Sequence, residues 1–278
     1  MSSPRPGRIR LDQLVVERGL AGSRSQAQAL LLAGRVRVGS GDGARSDRKP
    51  GDMVAPDTPL QIAERAQFVS RGGEKLAGAL DAFGIDPAGR ICLDVGASTG
   101  GFTDCLLRRG ATRVYALDVG RGQLADSLRA DDRVVSMERT HAARLDPADP
   151  DPVSLPEAVS LAVVDVSFIS LTRLLHGIAA RLGPGGEIVA LVKPQFEVGR
   201  ADVRRGVVRD PEVRRAAVEG VASFARQIGL DVRAEVESSL VGPAGNHEFF
   251  LHLVHRTAAD GAPSAMSARR CSAMSARP

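Results

Sequence analysis

Asp165, Lys193 and Glu248 stand where three apolar runs end or begin, and they can do chemistry if the fold brings those points together. A lysine flanked by carboxylates can donate to a substrate hydroxyl or, when neutral, take its proton. A second set lies upstream. Asp94-Val-Gly96-Ala-Ser98-Thr-Gly100-Gly101-Phe102 follows the apolar run Ile91-Cys92-Leu93 and opens a helical pattern. Strand, glycine loop and helix in that order make the corner of an open α/β sheet where ligands sit at the carboxyl ends of strands. Gly96 and Gly100 are four apart, so the loop is not the G-x-G-x-x-G that seats a pyrophosphate on a helix N-terminus. Asp118 ends the next apolar run, where an acid can accept hydrogen bonds from both hydroxyls of a ribose.

Strands are expected at 90–95, 113–118, 133–137, 160–165 and 187–192, with helical patterns between several of them. Strands alternating with helices imply a parallel sheet. An amphipathic helix is expected at about 210–228. Two strand-like runs follow, 230–237 and 246–255, separated by a Gly-Pro-Ala-Gly loop. They read as a hairpin that inserts one antiparallel strand. In that orientation Glu248, near the start of the last strand, meets the edge where Asp165 and Lys193 emerge.

Residues 8–64 read as a separate small domain. Leu11, Leu14 and Val15 give a short amphipathic helix that Gly19 ends. Ser23-Arg-Ser-Gln26 is a capping box before Ala27, Leu30 and Leu31, the buried stripe of a second helix that Gly34 ends. Arg35-Val-Arg-Val38 alternates like a half-buried strand. The first fifty residues hold an excess of Arg and Lys, while the chain as a whole carries only +4. Basic charge gathered in one segment is the footprint of a nucleic-acid contact.

The hydrophobic fraction of 43% supplies a core, but aromatics make up 3% and Trp is absent, which argues against a base-stacking platform as the main binding mode. Cys92, Cys105 and Cys271 lack C-x-x-C spacing; the first two read as core thiols, and no metal site is suggested. His252 and His255 read as surface or edge residues. No apolar run reaches the roughly 18 residues of a membrane span, and the start has no signal-peptide core, so a cytoplasmic protein is expected. The stretch 258–278 repeats Ser-Ala-Met-Ser-Ala-Arg without an apolar face and is expected to be disordered.

The glycine loop resembles that of S-adenosylmethionine (SAM) methyltransferases. Two carboxylates, Asp94 and Asp118, would then flank a cationic sulfonium. The pattern Arg10-Leu-Asp12, Arg18-Gly-Leu20, Ser23-Arg24, Gly34-x-Val36-x-Val38 and Lys49-Pro50 resembles the S4 RNA-binding domain, except that Ser40-Gly-Asp-Gly43 suggests a longer hairpin. Across about residues 8–256, Val69-Ser-Arg71-Gly-Gly-x-Lys75-Leu, the Asp94–Thr103 loop, Asp165-Val-Ser-Phe-Ile-Ser170, Leu191-Val-Lys-Pro-Gln-Phe-Glu197 and Gly245-Asn-x-Glu248 resemble the TlyA family. That family comprises bacterial rRNA cytidine-2′-O-methyltransferases, also known as haemolysin A.

The resemblance implies a seven-stranded, mostly parallel Rossmann-like α/β domain over 70–257, joined to the S4 domain by a linker at 65–69. It implies 2′-O-methylation of cytidines in 16S and 23S rRNA within 30S or 50S subunits. It implies a catalytic tetrad on Lys75, Asp165, Lys193 and Glu248, with SAM held by Asp94, Gly96, Ser98, Gly100, Phe102, Asp118 and His141. RNA contacts are expected from Arg10, Arg18, Arg24, Arg35, Lys49 and Arg71. In this reading Lys193 activates the 2′-oxygen, Asp165 and Glu248 orient it, and Lys75 contacts the substrate. Two positions depart from the family pattern: His141 stands where Asn is usual, and Phe68 stands in place of a linker Trp. The competing readings are an S4-tethered pseudouridine synthase, an RNA-binding protein with a non-catalytic SAM pocket, and a pore-forming haemolysin. Residues 90–195 do not suggest the β-rich fold that the first requires.

Overall fold

The computed structural model describes residues 7–32, 35–41, 44–62, 67–242 and 244–255. The chain forms two compact units, with the division between Gln67 and Phe68. The expected helix end at Gly34, part of the linker, Cys271 and the repeat tail lie outside the described residues.

In the first unit, strands β1 (Ile9–Arg10) and β3 (Met53–Val54) pair antiparallel, as do β2 (Val36–Val38) and β4 (Leu60–Ile62). Helices α1 (Leu11–Glu17) and α2 (Arg24–Leu32) pack on each other and share one core with the strands through Leu11, Leu14, Val15, Ala27 and Leu31, all buried. The capping box forms with one change. Ser23 Oγ accepts the Gln26 N–H at 3.2 Å, but the Gln26 side chain reaches past the cap to the Gly22 N–H at 2.8 Å. Val38 also bridges Arg45, in the region where a longer hairpin is expected.

Asp12 is the polar centre of this unit and is fully buried. Arg10 grips it with two hydrogen bonds of 3.1 and 3.0 Å; Arg24 and Gln28 add bonds at 3.0 and 2.8 Å. The Arg10 bonds hold its carboxyl well below the usual carboxylate range, against the opposing effect of burial. Removing one partner of such a buried charge is costly, because the remaining ion is left without compensation.

The second unit is a seven-stranded sheet in the order β10-β11-β9-β8-β5-β6-β7, built from β5 (Ile91–Val95), β6 (Arg113–Leu117), β7 (Val134–Met137), β8 (Val159–Val164), β9 (Leu182–Val192), β10 (Leu230–Glu237) and β11 (Phe249–His255). Pairs β5–β6, β6–β7, β5–β8 and β8–β9 are parallel; β11 runs antiparallel to both β9 and β10. The expected inserted hairpin is therefore present. Glu248 immediately precedes the last strand rather than lying on it.

The β11 insertion corrects the reading of His252. Its strand is internal, between β10 and β9, and its Nε2 lies 2.6 Å from Glu187 Oε2 while its ring stacks on Phe83 at 5.5 Å. It is a packed sheet residue and not an edge one.

Helices α3 (Arg71–Phe83), α4 (Gly101–Arg108), α5 (Asp126–Arg129), α6 (Leu175–Ala179), α7 (Pro194–Glu197) and α8 (Pro211–Gln227) cover the two faces. One core contains Leu93, Val164, Ile178, Val221 and Leu251; the other contains Leu76, Leu106, Val163, Leu191 and Phe250. Successive residues of β8 and β9 serve the two cores in turn, as expected for strands buried on both faces. Cys92 and Cys105 are buried thiols, and burial pushes each up to about 12.

Candidate active site

The strand order reverses between β5 and β8, and in open α/β sheets ligands bind outside the carboxyl ends at such a switch. The two strand ends touch there. A Cβ on Gly96 would lie 2.4 Å from the Asp165 carbonyl oxygen, and Gly96 has φ +87°. Only glycine satisfies both conditions.

Two cavities adjoin at this point. One, about 1160 Å³, is lined by Asp118, Gln123, Thr140, His141 and Ile169. The other, about 720 Å³, is lined by Arg71, Lys75, Phe102, Lys193, Phe196 and Glu248. Gly96, Ser98, Asp165, Ser167 and Phe168 line both.

In the wider cavity, Asp118 follows β6 and fastens the glycine loop. Its Oδ2 accepts the Ser98 N–H at 2.8 Å and its Oδ1 accepts the Gly120 N–H at 2.6 Å. A carboxylate has about four acceptor sites, so each oxygen retains capacity for a ligand. Ser98 sits in the left-handed region, with φ +48°. His141 Nδ1 accepts the Ala143 N–H at 3.1 Å, starting a 3-10 turn over Ala142–Leu145. That bond places the proton of a neutral ring on Nε2.

Two residues expected at the cofactor do not line either cavity. Asp94 is fully buried beneath the loop, where its Oδ2 accepts the Thr103 hydroxyl at 2.6 Å and its Oδ1 has no partner. Burial raises its carboxyl to about 7; the Thr103 bond opposes this, and the nearby Asp165 and Asp118 charges reinforce it. Gly100 has φ +94°, and a Cβ there would meet Leu128 Cδ1 at 2.2 Å. Its task is to let the loop pack on α5.

In the narrower cavity, four charges form two pairs. Lys193, directly after β9, places Nζ 2.5 Å from Asp165 Oδ1 and donates to Ser167 Oγ at 3.1 Å. Lys75, on the first turns of α3, donates to Glu248 Oε2 at 2.5 Å, with both side chains nearly fully buried. Glu248 was expected to orient Lys193; it is paired with Lys75 instead. The reason is the closeness of α3 and α4. A Cβ on Gly101 would fall 2.2 Å from Ser70 Oγ and 2.9 Å from the Gly73 nitrogen, so two glycine-bearing helix starts carry Lys75 in to the β11 end. Arg71 lines the same cavity and donates to the Val241 carbonyl at 3.0 Å.

Phe168 was not expected at the site as an individual residue. It is 90% exposed, has φ +65° and lies 5.1 Å from the Phe196 ring at an angle of 50°. A non-glycine residue held left-handed is uncommon and points towards function. Nothing in apolar periodicity marks it. Phe68 is buried in the second unit, where it packs against Gly73, and the Arg108 guanidinium lies 5.8 Å from its ring centre.

Of the expected RNA contacts in the first unit, Arg10 and Arg24 are engaged by Asp12, and Arg18 donates to the Pro56 carbonyl at 2.8 Å. Arg35 is half-buried, and the Lys49 N–H bonds Asp52 at 3.2 Å. Arg10 and Arg24 thus hold the fold as well as offering their exposed edges.

Residues 68–255 match the family described as FtsJ-like methyltransferase, and residues 9–39 match the S4 domain. The 16S/23S rRNA (cytidine-2′-O)-methyltransferase TlyA of Mycobacterium tuberculosis is 49% identical over 93% of both chains. Hemolysin A of Brachyspira hyodysenteriae is 40% identical, over 88% of this chain and all of its own. A solved Streptococcus thermophilus structure, described as a hemolysin, is 42% identical and superposes with a TM-score of 0.67, covering 91% of this chain and 90% of its own. Among the described residues, no helix is long and apolar enough to cross a membrane. The chain belongs to the TlyA family of FtsJ-like methyltransferases, with an S4 domain ahead of the methyltransferase domain.

Proposed function

We propose that the protein transfers a methyl group from SAM to the 2′-hydroxyl of cytidines in 16S, 23S or both rRNAs, acting on ribosomal subunits in the cytoplasm. The observation that carries this reading is the pair of lysine–carboxylate contacts beside a cavity that shares Asp165 with the Asp118 cavity. The names of close relatives support the same chemistry.

The residues present fit the cofactor. Asp118 offers acceptors for a ribose, the Gly96 loop permits close backbone approach, and the Asp118 and Asp165 carboxylates lining the cavity make the surroundings favourable to a cation. In this reading His141, donating from Nε2, faces the base end. SAM, when bound, supplies an electrophilic methyl group.

The protein's part is alignment and proton handling. In-line displacement requires the 2′-oxygen to be held in register with the methyl group, and such positioning can supply several kcal/mol of barrier reduction. Lys193, held by Asp165, is a fixed ammonium that donates to the 2′-oxygen and stabilises the charge that develops there as the hydroxyl proton passes to solvent water. Lys75, held by Glu248, contacts the ribose or its phosphate. The exposed Phe168 ring offers a face for the target base, and stacking on an aromatic side chain is worth roughly 1–3 kcal/mol. The S4 unit and Arg71 hold the RNA backbone.

Mapping 2′-O-methyl positions in rRNA from cells with and without the protein tests this function. Cytidine sites should vanish on deletion and return on complementation. Identical maps would overturn the proposal.

A further inference from the structure

Arg204-Arg205-Gly206-Val207 forms a tight two-residue turn. The Arg204 N–H donates to the Val207 carbonyl at 3.0 Å, and the Val207 N–H donates back to the Arg204 carbonyl at 3.1 Å. Arg205 and Gly206 have φ +51° and +80°, the two positive values of a type I′ turn. Asn, Asp or Gly usually occupies the first of these positions. An arginine there carries backbone strain that turn formation alone does not need.

The turn is fastened to the active site. Asn246 is 3% exposed; its Oδ1 accepts the Val208 N–H at 3.0 Å and its Nδ2 donates to the Gly206 carbonyl at 2.8 Å. Its own carbonyl accepts the Gly242 N–H at 2.8 Å. Asn246 stands two residues before Glu248, and Val203, Gly206 and Asn246 line the Lys75–Lys193 cavity. The turn is therefore held rigidly on the rim of that cavity.

Outside the rim, Arg204, Arg205 and Arg209 are exposed and together line a separate depression of about 230 Å³. None of the three side chains has an ion-pair or hydrogen-bond partner among the described residues. Two of the three arginines on the following helix differ: Arg215 pairs with Glu212, and Arg226 with Glu219, while Arg214, half-buried, has no ion-pair partner among the described residues. Of the two nearest acids in sequence, Asp202 forms no ion pair among the described residues, and Asp210 spends an oxygen on the Glu212 N–H at 2.9 Å as the cap of α8. Three guanidinium groups without ion-pair partners among the described residues, two on the fixed turn and one just after it, offer the planar, bidentate geometry by which arginine takes phosphate.

We infer that Arg204, Arg205 and Arg209 form a phosphate clamp that grips the RNA backbone flanking the nucleotide in the active site. This rests on the proposed RNA methyl transfer. The clamp belongs to the catalytic unit itself, so it holds the strand near the reacting ribose without relying on the S4 unit. Phosphate contacts of this kind fix register and add affinity without reading sequence.

The test uses the full chain with R204A, R205N and R209A combined; asparagine tolerates the left-handed backbone and removes the charge. Methylation kinetics are measured on 30S and 50S subunits from cells lacking the protein. Binding is measured to a single-stranded RNA oligonucleotide across a salt series, and SAM affinity by calorimetry. Thermal stability and SAM affinity should match wild type, with kcat within about twofold. KM and the oligonucleotide Kd should rise roughly tenfold at moderate salt, and the slope of log affinity against log salt should become shallower by about 2, near 0.7 per lost phosphate contact. A triple lysine variant should recover most of the affinity, since lysine also neutralises phosphate. Unchanged KM, Kd and salt slope would overturn the clamp, as would a loss of SAM binding with RNA affinity intact. A wild-type enzyme that methylates neither subunit would instead overturn the proposed function, while the oligonucleotide series would still judge the clamp.

Discussion

Replacing Asp94 with Asn probes a carboxyl that burial holds well above its ordinary value. Burial lifts it from an ordinary value of 3.8 to about 7, despite the Thr103 hydrogen bond. The unfolded chain ionises this group near pH 4, whereas the folded chain keeps it protonated until about 7. Stability present below pH 4 is therefore lost progressively as pH rises to about 7, and is constant above that. Three pK units at 1.36 kcal/mol each give a cost of roughly 4 kcal/mol above neutrality. About 2.5 kcal/mol of it should accrue between pH 5 and pH 8. The Asn variant has no such titration. Its buried amide can leave an N–H unpaired, a penalty of about 1–3 kcal/mol, but that penalty does not vary with pH. The diagnostic is thus the slope. Urea unfolding of both proteins across pH 5–8 should show the variant gaining on wild type as pH rises. A flat difference would refute the assignment. Because a cationic ligand nearby favours the ionised form, SAM binding near neutrality should also release a proton from wild type and not from the variant.

Lys193→Ala should lower single-turnover methylation about 10²–10³-fold with SAM affinity nearly intact, and Lys193→Arg should stay well above Ala if the proposed role of a fixed cation holds. An Arg variant as slow as Ala would mean that the lysine acts in its neutral form. Asp118→Ala should weaken SAM binding by roughly 1.5–3 kcal/mol; equal affinities by calorimetry would remove it from the cofactor site. Gly101→Ala should cost about 1–3 kcal/mol of stability through overpacking and slow turnover by moving α3 away from α4, so a variant with native melting temperature and rate would show that this close approach does not position Lys75.

Much of the catalytic unit was legible because parallel strands buried on both faces read as apolar runs, and because ligand chemistry gathers where such runs stop. Asp118, Asp165 and Lys193 all lie directly after strands for that reason. The pairing among the charges was not legible. Nothing local tells Glu248 to choose Lys75 over Lys193; the choice depends on how closely two glycine-bearing helices approach. Asp94 and Gly100 share the glycine-loop pattern, yet one is buried beneath the loop and the other packs on α5, a difference of side-chain direction that spacing does not encode. Asp12 was hidden for a related reason, since a buried acid becomes tolerable only once Arg10, Arg24 and Gln28 surround it in three dimensions.

The Lys75–Glu248 contact joins residues 173 positions apart. It ties the first helix of the catalytic unit to the residue just before the last described strand, so the candidate site is closed by one of the most distant pairings in its topology. Long-range closure carries its entropy cost before contacts compensate for it, which places such pairings late in folding. During synthesis, Lys75 emerges from the ribosome long before its partner exists. The nascent enzyme is therefore expected to remain inert until β11 slots between β9 and β10, and a chain interrupted late, after β9 but before Glu248, should be left with an unpaired internal cation and an open sheet edge that invites aggregation.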